Sequence, residues 1–96
     1  MTDHELLELA ARAIGLELKY NYLGTRDARQ PWNPLKDDGD ALRLAVRTGM
    51  LFSYMGDRFD LFQKCYMDCL DADIPPSEAT RLAITRTAAE IGRSMK

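Results

Sequence analysis

The stretch from Trp32 to Val46 constrains the fold of this chain more than any other. It joins the only tryptophan, a proline turn, an acidic helix start and an apolar helical face within a few turns of chain. Pro34 disfavours helical geometry in the residue before it, so the chain is expected to turn there. Asp37 or Asp38 is a good N-cap, and carboxylates in the first turn suit the positive end of the helix dipole. The stretch therefore predicts a turn followed by a central helix that Gly49 closes.

The apolar residues of this central helix indicate which side is buried. Leu42, Ala45 and Val46 recur at helical spacing and are expected to face the core, with Leu44 beside them. Trp32 is expected to pack beneath the same helix.

Length and composition predict one globular domain over residues 1–96. Hydrophobic residues make up 46% of the chain and charged residues 29%, as in ordinary folded proteins. The formal net charge is −2, whereas non-specific binding to nucleic acid or membranes is typical of a clearly basic domain or face. The acidic start is unlike a signal peptide, and no apolar run approaches the length of a membrane span. Two cysteines four residues apart form no disulfide framework, so we expect a reducing cytoplasm.

The first third of the chain predicts a helix and a strand. Thr2 to Glu5 fits a capping box, and the apolar spacing that follows predicts a helix over residues 3–14, stopped by Gly15. Residues 16–22 alternate between apolar and polar, which predicts a half-buried strand. A turn at residues 24–27 and a short return strand at residues 28–30, ended by Pro31, follow.

Residues 50–70 allow two interpretations. Alternation over residues 50–55, a turn at Gly56-Asp57 and one apolar face over residues 59–67 favour a β-hairpin. The alternative is a helix, because Phe59, Phe62 and Tyr66 also fall on one helical face.

The last helix is predicted to start with Ser77 as its N-cap. Ile84, Ala88, Ile91 and Met95 are expected to face the core, with Thr80 and Thr87. With the preceding elements, this predicts an α+β fold in which three helices pack with a small, mostly antiparallel β-sheet.

Residues Asp37 to Asp40 (Asp-Asp-Gly-Asp) raise a metal-site hypothesis. Calcium loops space their acids at alternate positions and end in a glutamate at position twelve, which here is Thr48. Helix N-capping explains the same acids and is the interpretation that we favour.

Cys65, Cys69 and His4 are the other candidates for chemistry. A structural zinc site needs four such ligands, and His4, the only histidine, lies in the opening helical turn. The thiols are therefore interpreted as small apolar side chains. We predict no catalytic, metal or cofactor site and expect the chain not to be an enzyme.

Two surfaces are candidates for binding. If three helices cover one face of the sheet, aromatic rings on the other face would mark a surface for a protein partner or a second copy. The alternative is that both faces of the sheet are covered and the aromatic rings are buried, and the sequence leaves both open. Its candidate residues are Tyr20, Tyr22, Tyr54 and Tyr66. The last helix carries a modest basic edge, which is the alternative site for nucleic acid or a nucleotide. Its residues are Arg81, Arg86 and Arg93.

The stretch from Trp32 to Val46, the closing helix Glu78 to Gly92 and the opening helix Glu5 to Ala11 resemble a family of small phage and prophage proteins. The layout is similar to the phage ABA sandwich domain, although residues 50–76 depart from it by being rich in aromatics, methionines and cysteines. The resemblance implies an accessory protein without an assigned activity. We therefore expect a non-enzymatic phage protein that binds a host or defence protein.

Overall fold

The C-terminal helix is the element on which the other helices pack. The computed structural model describes residues 2–19, 22–25, 28–51 and 57–95. Within them lie four helices, α1 (Asp3–Ala13), α2 (Asp38–Thr48), α3 (Asp57–Asp71) and α4 (Pro76–Ser94). Three short strands, β1 (Glu17–Lys19), β2 (Tyr22–Thr25) and β3 (Ala28–Pro31), lie between α1 and α2. The α1, α2 and α3 helices all contact α4, and the α1 contact is the most extensive.

Small residues on several sides of α4 let it take this central position. Ala79, Ala83, Ala88, Ala89 and Gly92 are all buried, so neighbouring backbones can approach the helix closely. The α1 helix runs alongside α4 in the same direction, since Asp3 and Leu82 line the same groove at one end and Leu9 approaches Gly92 further along. The α3 helix runs the opposite way on another side of α4.

The main core lies where α1, α2 and α4 meet. Its buried residues come from these helices, from Trp32 and from Met50. Leu16, Leu18 and Phe62 pack against its margin. The predicted burial of Trp32 is confirmed, with 6% of the residue exposed.

The prediction of an α+β fold with three helices packed with a sheet is wrong. The domain is mainly helical, and its core is formed by helix-to-helix packing. The three described strands are each only three or four residues long, and they form an antiparallel meander in the order β1-β2-β3. Lys19 pairs with Tyr22, so the chain reverses inside the strand predicted over residues 16–22. β3 matches the predicted short return strand and ends at Pro31.

The largest error concerns residues 57–71, where the predicted returning strand is the helix α3. Its partly or fully buried residues follow a helical repeat: Arg58, Phe59, Leu61, Phe62, Cys65, Tyr66, Cys69 and Leu70. This stripe matches the i, i+3, i+4, i+7 pattern of a helix face, and it packs on α4. The alternation that favoured a strand combines residues of this stripe, such as Leu61 and Cys65, with exposed residues such as Met67. Asp57 begins the helix instead of a hairpin turn, while residues 52–56 lie outside the described part of the chain.

The helix ends follow the predicted chemistry in most places. The Thr2 hydroxyl accepts the Glu5 N–H at 3.2 Å, which caps α1. Asp37 caps α2, and Gly49 closes it in the left-handed conformation at φ 73°. The predicted Ser77 cap is wrong, because the N-cap is Pro75 and α4 begins at Pro76, where the missing proline N–H is no loss.

Candidate interaction surface

The turn before α2 is held together by its own polar groups. Asp40 is buried, and its Oδ2 accepts the Asn33 N–H at 2.9 Å. Its Oδ1 accepts a hydrogen bond from Arg43 at 2.7 Å. The Asn33 side chain in turn accepts the Leu35 N–H at 3.1 Å. These bonds fix Trp32 against the core and set the rotation of α2.

The acidic cluster at the start of α2 has structural partners, as N-capping predicts. Asp37 Oδ1 accepts the backbone N–H of Gly39 at 2.8 Å. Asp38 Oδ1 accepts a hydrogen bond from Arg81 at 2.6 Å. Asp40 accepts hydrogen bonds from the Asn33 N–H and from Arg43. Among the described residues no group of three or more histidines, cysteines or acids is arranged to hold a metal ion.

The three arginines proposed for nucleic acid do not form one basic face. At 100° per residue, Arg81 and Arg86 point to different sides of α4. Arg81 donates to the Leu35 carbonyl at 3.1 Å and to Asp38, so it ties α4 to the turn. Arg93 pairs with Glu90 at 3.3 Å. The charge of Arg81 and Arg93 is thus matched by acids of the same chain.

Arg86 and Cys65 border an open groove between α1 and α3. The groove has a volume of about 390 Å³ and is lined by both apolar and charged side chains: Asp3, Leu6, Cys65, Leu82, Arg86 and Glu90. Arg86 Nη1 lies 3.7 Å from the sulfur of Cys69. Burial raises the pKa of the Cys69 thiol, and the opposing effect of Arg86 is smaller. A thiol that keeps its proton is a poor nucleophile, which agrees with its interpretation as an apolar side chain.

The aromatic candidates are only partly described. Tyr20 and Tyr54 lie outside the described residues, and for Tyr22 the structure describes the backbone in β2 alone. Tyr66 is half-buried on α3 and stacks on Phe62, with ring centroids 6.2 Å apart. Tyr66 therefore lies on a helix and not on the open face of a sheet.

An exposed apolar surface lies on α2, where the sequence predicted a buried face. The buried residues are Ala41, Leu44, Ala45 and Thr48. Leu42 and Val46 lie one turn apart on the outer side and are 57% and 54% exposed. The prediction that Leu42 and Val46 face the core is wrong, because the opposite side of α2 is the buried one. Asp40, which accepts the Asn33 N–H, is buried on that side.

This outer surface of α2 is also basic. Arg43 and Arg47 are exposed and follow Leu42 and Val46 by one residue each. Leu51, just beyond the helix, is 37% exposed. We call Leu42, Arg43, Val46 and Arg47 the α2 outer face. The stripe of Ala41, Leu44, Ala45 and Thr48, in which all but Leu44 are small, faces an alanine-rich α4. It is the sequence signal that could have located the exposed side.

Comparison with protein-family models, curated proteins and solved structures gives no match. The resemblance to the phage ABA sandwich domain therefore stays a prediction. In the part of the chain that the structure describes, no helix is both long enough and apolar enough to cross a membrane.

Proposed function

We propose that this chain is a non-enzymatic phage accessory protein that acts in the bacterial cytoplasm by binding another protein chain through the α2 outer face. The observation that carries the proposal is the exposed pair Leu42 and Val46. A single exposed leucine is ordinary on a protein surface. Two large aliphatic side chains on successive turns of one helix, each more than half exposed, form a ridge that a partner can cover.

The neighbouring charges support a protein partner. Arg43 and Arg47 border the ridge on one side, and arginine is enriched in protein interfaces. An apolar centre beside a charged edge has the general composition of a protein-binding surface. The absence of a predicted catalytic set favours binding over catalysis, and the phage setting rests on the resemblance of the central stretch.

Site-specific photocrosslinking tests the proposal. A benzophenone amino acid replaces Val46 in the tagged protein, which is then irradiated in living bacterial cells. The side chain stays apolar, so we expect the surface to keep its partner and form a covalent protein adduct. The matched control carries the benzophenone at Arg12, an exposed position in the last turn of α1.

Two results would contradict the proposal. One is the lack of any protein adduct at position 46, and the other is an identical adduct pattern at positions 46 and 12. The substitution Leu42→Ser should weaken the adduct formed from position 46. Because Leu42 is exposed, that substitution should leave the urea unfolding midpoint almost unchanged.

A further inference from the structure

The outer side of α3 carries the opposite charge to the α2 outer face. Asp60, Met67 and Asp71 fall within about 40° of each other around the helix at 100° per residue, away from the stripe that packs on α4. Met67 is 54% exposed, and Asp60, Asp68 and Asp71 are exposed around it. Lys64 is the one cation on this side. We call Asp60, Met67, Asp68 and Asp71 the α3 outer face.

The two outer faces are complementary. The α2 outer face presents an aliphatic ridge with Arg47, and with Arg43 in its ion pair with Asp40, along its edge. The α3 outer face presents Met67 among three aspartates and Lys64, so its charge remains negative. The two arginines are about 6 Å apart along α2, and Asp68 and Asp71 are about 4.5 Å apart along α3, at 1.5 Å per residue. Flexible arginine side chains can span this difference.

Within one copy, the two faces do not contact each other in the part of the chain that the structure describes. In the described residues, α2 and α3 meet where the Arg58 side chain donates to the Thr48 carbonyl at 2.5 Å. This contact joins the end of α2 to the start of α3, and both outer faces remain exposed. A second copy would supply the complementary helix that each face lacks.

We propose that two copies of this chain associate by packing the α2 outer face of one on the α3 outer face of the other. This inference rests on the proposed function and names a second copy as the partner. The contact joins two different faces of the chain, so it is heterologous. A contact between two short helices is smaller than the roughly 800 Å² per partner of stable complexes, so we expect weak association that depends on concentration.

Sedimentation equilibrium of the purified full chain with a charge swap tests the inference. Arg47→Glu places an acid opposite the aspartates, and Asp71→Lys places a cation opposite the arginines. We expect each single substitution to raise the dimer Kd about tenfold or more, because like charges then face each other. The double variant should recover most of the wild-type Kd. Arg12→Glu is the matched control and should have no effect.

Three results would overturn the inference. They are a monomer at every concentration, a dimer insensitive to both single substitutions, and a double variant no tighter than either single variant. Helical circular dichroism of each variant establishes that it is folded. If the chain is monomeric while position 46 crosslinks to a different protein, the proposed function stands and the self-association fails. If position 46 gives no adduct, the proposed function fails as well.

Discussion

Gly92 lies where the backbone of α1 approaches α4 most closely. A Cβ atom at this position would lie 1.9 Å from the Leu9 carbonyl oxygen and 2.9 Å from the carbon of the same group. Backbone atoms within a helix cannot move aside as a flexible side chain can. Gly92→Ala should therefore force the two helices apart and lower the free energy of unfolding by about 1–3 kcal/mol or more, as measured by urea denaturation.

Gly39→Ala is the matched control for this prediction. A Cβ atom at Gly39 meets only side-chain atoms of Arg43 and Asp37, at 3.3 Å. Alanine also has a higher helix propensity than glycine, by about 1 kcal/mol within a helix. We expect Gly39→Ala to change stability by less than about 1 kcal/mol. Equal losses for the two substitutions would show that the approach of α1 to α4 is not the cause.

Asp40 and Asp38 carry the same charge but differ in what their loss would expose. Asp40→Ala leaves the partly buried Asn33 N–H without its acceptor, which should cost about 1–3 kcal/mol. Asp38→Ala removes an ion pair whose acid side chain is 83% exposed, and such pairs contribute about 1 kcal/mol or less. Urea unfolding of both variants measures the difference. A loss for Asp38→Ala as large as that for Asp40→Ala would contradict this account.

At the scale of the element, sequence patterns predicted most helix ends but not the faces of α2 and α3. Thr2, Asp37, Gly15 and Gly49 act locally, and local chemistry determines their roles. The buried side of α2 depends on Asp40 reaching back to Asn33, and on the small residues that α4 offers. Neither fact can be read from the apolar spacing of α2 alone.

The α3 helix shows how one pattern can fit two structures. Residues 59–67 alternate well enough to favour a strand, while the stripe from Arg58 to Leu70 fits a helix. Tertiary contact with α4 decides between them, because α4 gives the helical stripe a partner along its length. The candidate aromatic Tyr66 therefore lies on α3, stacked on Phe62, and not on a strand.

We expect the buried thiol of Cys69 on α3 to make the free energy of unfolding depend on pH. Its pKa is raised above the ordinary value of 9.0, mainly by burial. As the pH rises past 9.0, the unfolded chain loses this proton before the folded chain does. Ionisation of the thiol thus favours unfolding. The contribution of Cys69 to the free energy of unfolding is present below pH 9.0 and is lost as the pH rises through the raised pKa of the folded chain.

Urea midpoints at pH 7.5 and pH 10 measure this contribution. We expect the wild type to lose more stability between these two conditions than Cys69→Ala, which has no thiol to ionise. Cys65→Ala is the control, since it keeps Cys69 and should keep the loss. The same pH dependence in the wild type and in Cys69→Ala would rule out this role for the thiol.

At the scale of the whole molecule, Trp32 is the residue through which the turn, α2 and the shared core are joined. The sequence predicted its burial correctly, because a large aromatic next to a proline turn and an apolar helix has few other places to pack. The α+β architecture was not predictable in the same way. It depended on how residues 50–70 are interpreted, and the part of them that lies in α3 packs on α4 as a helix despite its alternation.

Trp32→Ala should destabilise the fold, because it removes the side chain that packs between the turn, α2 and the core. Only 6% of Trp32 is exposed, so truncation would leave a cavity among Ala41, Leu44 and the other core residues. Emptying a large aromatic from a core costs about 3–5 kcal/mol, which is a large part of the stability of a small domain. Leu42→Ala, at an exposed position on the same helix, should change stability by about 0.5 kcal/mol or less. Urea unfolding followed by helical circular dichroism compares the two without relying on the tryptophan signal. An unchanged midpoint for Trp32→Ala would place the tryptophan at the surface, and the core would then have to be held by α1 and α4 alone.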